Sequence, residues 1–162
     1  MRTHVYESEM VLPRARGEVF PFFADAHNLE RITPPFLGFR VRTPRPIGMR
    51  EGVLIDYSLR LRGLPLRWRT RISMWEPESC FVDEQVRGPY RTWVHTHTFE
   101  DHPGGTLCLD RVEYAYVGDR LVQSWLVGKE VERIFAYRAR ALRELFPAVP
   151  SGDGETTGDS AR

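Results

Sequence analysis

The sequence predicts an α+β fold in which a long C-terminal helix lies across a strongly curved, seven-stranded antiparallel sheet. Three observations carry this. A run at 4–12 alternates polar and apolar residues and is followed by two short helical pieces. Six strand-like runs then follow at about 36–43, 52–62, 65–76, 80–87, 91–101 and 105–116. Finally, residues 120–146 contain no proline and carry apolar residues at helical spacing.

In the first run, His4, Tyr6, Ser8, Met10 and Leu12 share one face, and Pro13 ends it. Glu18 to Asp25 and Ala26 to Ile32 read as short helices, stopped at Thr33-Pro34-Pro35 because proline disfavours the helical region for the residue before it. The strands are punctuated by Pro44, Pro46, Gly48, Gly63, Pro65, Pro77, Gly88-Pro89 and Gly104-Gly105, the pattern of an antiparallel meander. Asp119 is positioned to cap the final helix. On it, Leu121, Trp125 and Leu142 share a packing face and Gly128 is the weak link.

At 162 residues with 41% hydrophobic composition, the chain fits one domain with a core and room for a cavity. We assign residues 1–146 to that domain and 147–162, small, polar and rich in glycine, to a disordered tail. Lys plus Arg number 23 against 22 for Asp plus Glu, so the net charge of +1 gives no reason to expect nucleic acid as a partner. Cys80 and Cys108 fit neither a disulfide framework nor a zinc knuckle and read as core thiols in a reducing compartment. No signal-peptide pattern opens the chain, and no segment approaches the ~20 apolar residues that span a bilayer. The expected location is cytoplasmic.

The stretch from Tyr90 to Glu100 is the most informative. Its alternation puts Trp93, His95, His97 and Phe99 on one strand face and Thr92, Val94, Thr96 and Thr98 on the other. The aromatic face is the covered one, so two imidazoles point inward and need partners. Phasing the neighbouring strands by their apolar residues brings Asp83 and Gln85 inward with Phe81, and Cys108 and Asp110 inward with Val112 and Tyr114. Asp83 then lies opposite His95, and Asp110 opposite His95 or His97, a carboxylate-histidine-carboxylate row. The other inward sets are Val53, Ile55, Tyr57, Leu59 and Leu61, then Leu66, Trp68, Thr70, Ile72 and Met74.

The element order, with Gly88-Pro89-Tyr90-Arg91-x-Trp93-x-His95-x-His97-x-Phe99-Glu100, Gly104-Gly105-Thr106, Asp110-x-Val112-x-Tyr114 and Ile134-Phe135-x-Tyr137-Arg138, resembles the START-like helix-grip superfamily. Within it the resemblance is to bacterial SRPBCC single-domain proteins of the polyketide cyclase-like, ligand-binding kind, over residues 3 to 146. It implies a cavity under the last helix that holds apolar ligands, with no reaction attached.

The inward row then has four readings. It can be a satisfied buried network that fixes strand register. It can orient the polar end of a hydrophobic ligand such as a lipid, quinone-like or polyketide-like molecule, with Tyr57, Trp68, Gln85, Trp93, His95, His97, Tyr114 and Phe135 as the binding set. It can be catalytic, with His95 or His97 as general base and Asp83 or Asp110 as orienter, serving a cyclase or dehydratase. Or the two histidines and Asp110 can hold a metal as a facial set, like that of non-haem iron or a catalytic zinc. The expectation is a ligand-binding protein without metal or cofactor. A different class of function, partner binding, would use the outward stripe of Arg67, Arg69 and Arg71 beside Arg60 and Arg62, unless these pair with Asp56 and Glu84. Residues 34–39 are rich in apolar side chains that can line a cavity mouth or pack locally.

Overall fold

The structure, a computed structural model, describes residues 2–116 and 121–148, and for 121–125 the backbone alone. The Asp119 cap, the Trp125 packing contact and most of the 147–162 tail lie outside the described residues. Strand β1 (His4–Leu12) is followed by helix α1 (Arg16–Ala24), a 3-10 turn, helix α2 (Leu29–Ile32) and a second 3-10 turn (Pro35–Leu37). Then come β2 (Arg40–Val41), β3 (Leu54–Leu61), β4 (Leu64–Glu76), β5 (Cys80–Arg87), β6 (Thr92–His102), β7 (Gly105–Ala115) and helix α3 (Leu121–Leu145).

The seven strands form one antiparallel sheet in the order β1-β7-β6-β5-β4-β3-β2. The run at 36–43 supplies only two paired residues. Phe36 and Leu37 belong to the 3-10 turn and Gly38 ends it in the left-handed conformation, so the first part of that run turns instead of pairing.

Two apolar clusters fasten the helices to the sheet. Leu142 of α3 packs with Val19, Phe20 and Phe23 of α1 over Phe81 and Phe99. Higher on α3, Val131 and Phe135 pack with Val112, Tyr114 and Tyr116. Full burial of each such side chain contributes about 1.5–3 kcal/mol. A third cluster, Ala26 with Ile55, Tyr57 and Ile72, closes the far side.

One inward assignment fails. Met74 is 42% exposed, while Trp75 turns in against Phe20 and Phe81 at ring distances of 5.4 and 5.5 Å. The register between β4 and β5 shifts between Ile72 and Met74, leaving Ser73 as an extra residue. Such a bulge reverses the side-chain phase beyond it.

Candidate functional site

Between the sheet, α1–α2 and α3 lies a cavity of about 180 Å³. Its wall is mostly apolar: Phe23, Leu29 and Ile32 from the short helices, Ile55, Tyr57, Leu59, Trp68 and Ile72 from β3 and β4, and Val131, Ile134 and Phe135 from α3. A polar patch of Asp83, His95, His97 and Arg138 interrupts it, and Asp25, Asn28, Thr33 and Thr70 add polar groups elsewhere. Leu37, the last residue of the second 3-10 turn, and Phe39 just after it border the cavity. Phe39 packs at 5.0 Å against Tyr57 in a tilted arrangement, whereas Phe36, 46% exposed, lies outside the cavity beneath the Arg133 guanidinium, 4.4 Å from its ring centroid.

The patch is built by three adjacent strands. In register, Asp83 of β5 faces His95 of β6, and Asp110 of β7 faces His97. The side chains bond on the diagonals as well as straight across. Asp110 Oδ1 lies 2.8 Å from His95 Nε2 and 3.0 Å from His97 Nδ1. Asp83 Oδ2 lies 2.9 Å from His97 Nε2 and 3.6 Å from His95 Nδ1. Each imidazole is thus held between two carboxylates, and both are buried, at 5% and 3% exposure. From α3, Arg138 Nη2 reaches to 3.6 Å from Asp110 Oδ1. The same nitrogen is 3.4 Å from His97 Nδ1, but that imidazole nitrogen has the shorter contact to Asp110, and we assign its proton there.

Burial and the neighbouring His97 push His95 down to about 4, so it is neutral at physiological pH. Burial also opposes charge on His97, but hydrogen bonds to Asp110 and Asp83 outweigh it and raise that imidazole above its ordinary value. Burial works to keep the two acids neutral. The Arg138 charge and the two histidine hydrogen bonds overcome this at Asp110, holding it well below the usual carboxylate range. At Asp83 the hydrogen bond from His97 leads in lowering it. The Cys108 thiol is pushed up to about 12, first by burial and then by the Asp110 charge, which leaves it a poor nucleophile.

Of the residues singled out from the sequence, Tyr57, Trp68, Asp83, Trp93, His95, His97 and Phe135 line the cavity. Phe135 meets the His95 ring edge-on at 5.4 Å. Asp110 stands behind the histidines. Gln85 and Tyr114, expected in the binding set, are elsewhere. The Gln85 amide straps the β5–β6 turn, donating to the Tyr90 carbonyl at 2.6 Å and accepting from the Tyr90 N–H at 3.2 Å. Tyr114 is packed under α3 with Val131. That strap also explains Gly88, where a Cβ would come within 2.2 Å of the Gln85 amide. Among the lining residues that sequence reasoning left out of the site are two with polar groups beside the histidine row, Tyr90 and Arg138. Their signals were present: Tyr90 closes the Gly88-Pro89 turn, and Arg138 sits one helical turn from Phe135.

Outside the cavity, the arginine stripe is largely paired. Arg69 grips Asp56 with two bonds of 2.7 and 2.9 Å, Arg71 bonds Glu84 at 3.0 Å, and Arg62 approaches Glu130 at 3.5 Å. Among the described residues no helix is long and apolar enough to cross a membrane.

Solved structures share this architecture. Ara h 8.0201 is 14% identical with a TM-score of 0.68, over 90% of this chain and 98% of that one. Ginseng major latex-like protein 151 from Panax ginseng is 12% identical with a TM-score of 0.64, over 89% and 97%. A nucleoside-diphosphate sugar epimerase from Corynebacterium glutamicum is 27% identical with a TM-score of 0.60, over 86% of this chain but only 28% of that one. No curated protein matches the chain. These likenesses show a helix-grip fold. The family described as polyketide cyclase / dehydrase and lipid transport matches residues 12–143, and with the apolar cavity in place between α3 and the sheet, the chain belongs to that family.

Proposed function

We propose that the protein binds a small, largely apolar molecule that carries an oxygen at one end, with its body against the aromatic wall and the oxygen toward His95, His97 and Arg138. One observation carries this reading. Arg138 is 8% exposed and lines the cavity, and its Nε has no hydrogen-bond partner among the described residues. A buried donor left unmatched costs about 1–3 kcal/mol, which a ligand carbonyl, phenolate or carboxylate recovers.

Size narrows the class. A dry cavity of about 150 Å³ holds benzene, and pockets for drug-sized ligands run to about 300–1,000 Å³. A volume of about 180 Å³ therefore suits one ring or two fused rings, quinone-like or polyketide-like, better than a two-chain lipid. The free thiols Cys80 and Cys108 fit a cytoplasmic setting for this binding.

Native mass spectrometry of purified protein, followed by solvent extraction, tests the reading. The expected result is a stoichiometric apolar compound of ring size, lost in Arg138→Met when that variant remains folded. Recovery of nothing from wild type, together with no saturable binding of hydroxynaphthoquinone or 1-naphthol, would overturn it.

A second reading, general acid–base chemistry of the cyclase or dehydratase type, is favoured by the unequal histidines. A neutral His95 faces the cavity with Asp110 behind it, and beside it lies His97, which its two carboxylate hydrogen bonds make the more basic of the pair. Under this reading His95→Gln loses turnover of the recovered compound while keeping its affinity. Under binding alone the compound returns unchanged from wild type.

A further inference from the structure

The two histidines present the geometry of a metal centre. Each turns one ring nitrogen toward Asp110 and the other toward Asp83. On the Asp110 side, a single oxygen accepts from both rings, and the Arg138 guanidinium closes the space beyond it. On the opposite side, His95 Nδ1, His97 Nε2 and Asp83 Oδ2 face one another. One ligand atom from each of these three residues lies within 4.8 Å of the others. All three residues line the cavity.

We propose that Asp83, His95 and His97 form a binding site for a divalent first-row transition cation, with Asp110 as the carboxylate that orients both imidazoles. Histidine nitrogens and carboxylate oxygens bind such ions at about 2.0–2.2 Å, which puts neighbouring donor atoms about 2.9–3.4 Å apart. Two donor separations here are 2.9 Å, for His97 and Asp83, and 3.6 Å, for His95 and Asp83, and all three donors lie within 4.8 Å of one another, so side-chain adjustment without movement of the strands closes them on an ion. A carboxylate on the far nitrogen of a metal-bound histidine fixes the ring and raises its basicity. Asp110 supplies that to both rings at once.

Two histidines and one carboxylate on a single side leave the remaining coordination positions open, as in catalytic zinc and non-haem iron sites. Here they open into the apolar cavity, where water or a ligand oxygen would fill them. Arg138 excludes a cation from the other side, since a second positive charge would sit against the guanidinium. The inference goes beyond ligand binding. It concerns an ion under the ligand, and apolar ligand affinity can be measured separately in chelator.

The test is titration of chelator-stripped full-length protein with Co²⁺, followed by visible absorption, and with Zn²⁺ by calorimetry. The expected result is one ion per chain, with affinity reduced at least tenfold in Asp83→Ala and in His95→Ala, and about 10–100-fold in Asp110→Asn. Paramagnetic shifts in the wild type serve where a variant fails to fold: Co²⁺ should shift the ring protons of His95 and His97. Absence of saturable binding, binding that survives Asp83→Ala, or shifts confined to His27 and His102 would each overturn the site.

Discussion

His95 and His97 lie with ring centroids 3.7 Å apart on one face of β6, two imidazoles in direct contact between two carboxylates. Proximity makes a second positive charge costly, so the pair holds one proton over a wide range and titrates as a unit.

In chelator-treated protein, NMR of the imidazole rings should show one histidine protonated above the ordinary value of 6.5 and the other protonating only near pH 4. Stability follows with opposite signs. His97, raised in the native state, contributes stability that is full below the unfolded value of 6.5 and lost as pH rises through its native value. His95 has the reverse effect: the unfolded chain takes up its proton near 6.5 and the native chain near 4, so stability falls as pH drops through that window. Urea unfolding of His95→Gln between pH 7 and 4 should therefore show a shallower acid decline than wild type. An unchanged decline would refute the assignment.

Arg138→Leu should cost about 3–5 kcal/mol, because it leaves Asp110 buried without its guanidinium. The double variant Asp110→Asn/Arg138→Leu should recover part of that loss, a coupling that a double-mutant cycle in urea measures directly. Additive losses would mean that the two side chains do not interact.

The bulge at Ser73 separates two neighbours of similar hydrophobicity. Met74→Lys should change stability by no more than about 0.5 kcal/mol, while Trp75→Ala should cost about 3–5 kcal/mol through the cavity left beside Phe20 and Phe81. Thermal unfolding of the two variants checks the phase reversal, and equal losses would contradict it.

Phe36 and Arg133 join the loop after α2 to the last helix at the cavity rim. An exposed cation–π contact is worth about 0.5–1 kcal/mol, so Arg133→Ala should speed ligand exchange by about two- to fivefold with little effect on unfolding. Stopped-flow displacement of bound 1-naphthol reads this.

Much of the site was legible because strand phase is a strict code. Apolar neighbours fixed the inward face of each strand, and that alone brought Asp83, His95, His97 and Asp110 together. Three features had no comparable signal. A one-residue bulge leaves composition unchanged, so Met74 and Trp75 exchanged roles. The diagonal bonding depends on side-chain reach, which register does not specify. Gln85 lay in phase with the cavity but bonded to the turn beside it, a local competition between a side chain and the backbone that alternation cannot encode.

The pairing of β1 with β7 also sets the order in which the molecule is assembled. His4 lies opposite Tyr114 and Ser8 opposite Asp110, so within this domain β1 gains its partner only once β7, the strand farthest from it in sequence, has been made. The hairpins from β3 to β7 can zip locally, but the sheet gains this outer strand only by closing nearly the whole domain, the kind of distant contact that slows folding toward milliseconds to seconds. Until then Asp110 is flanked by β6 alone, and Met10 and Leu12 remain uncovered. A nascent chain stalled before β7 should therefore present β1 as an exposed, partly apolar strand, a natural recognition element for a holdase chaperone.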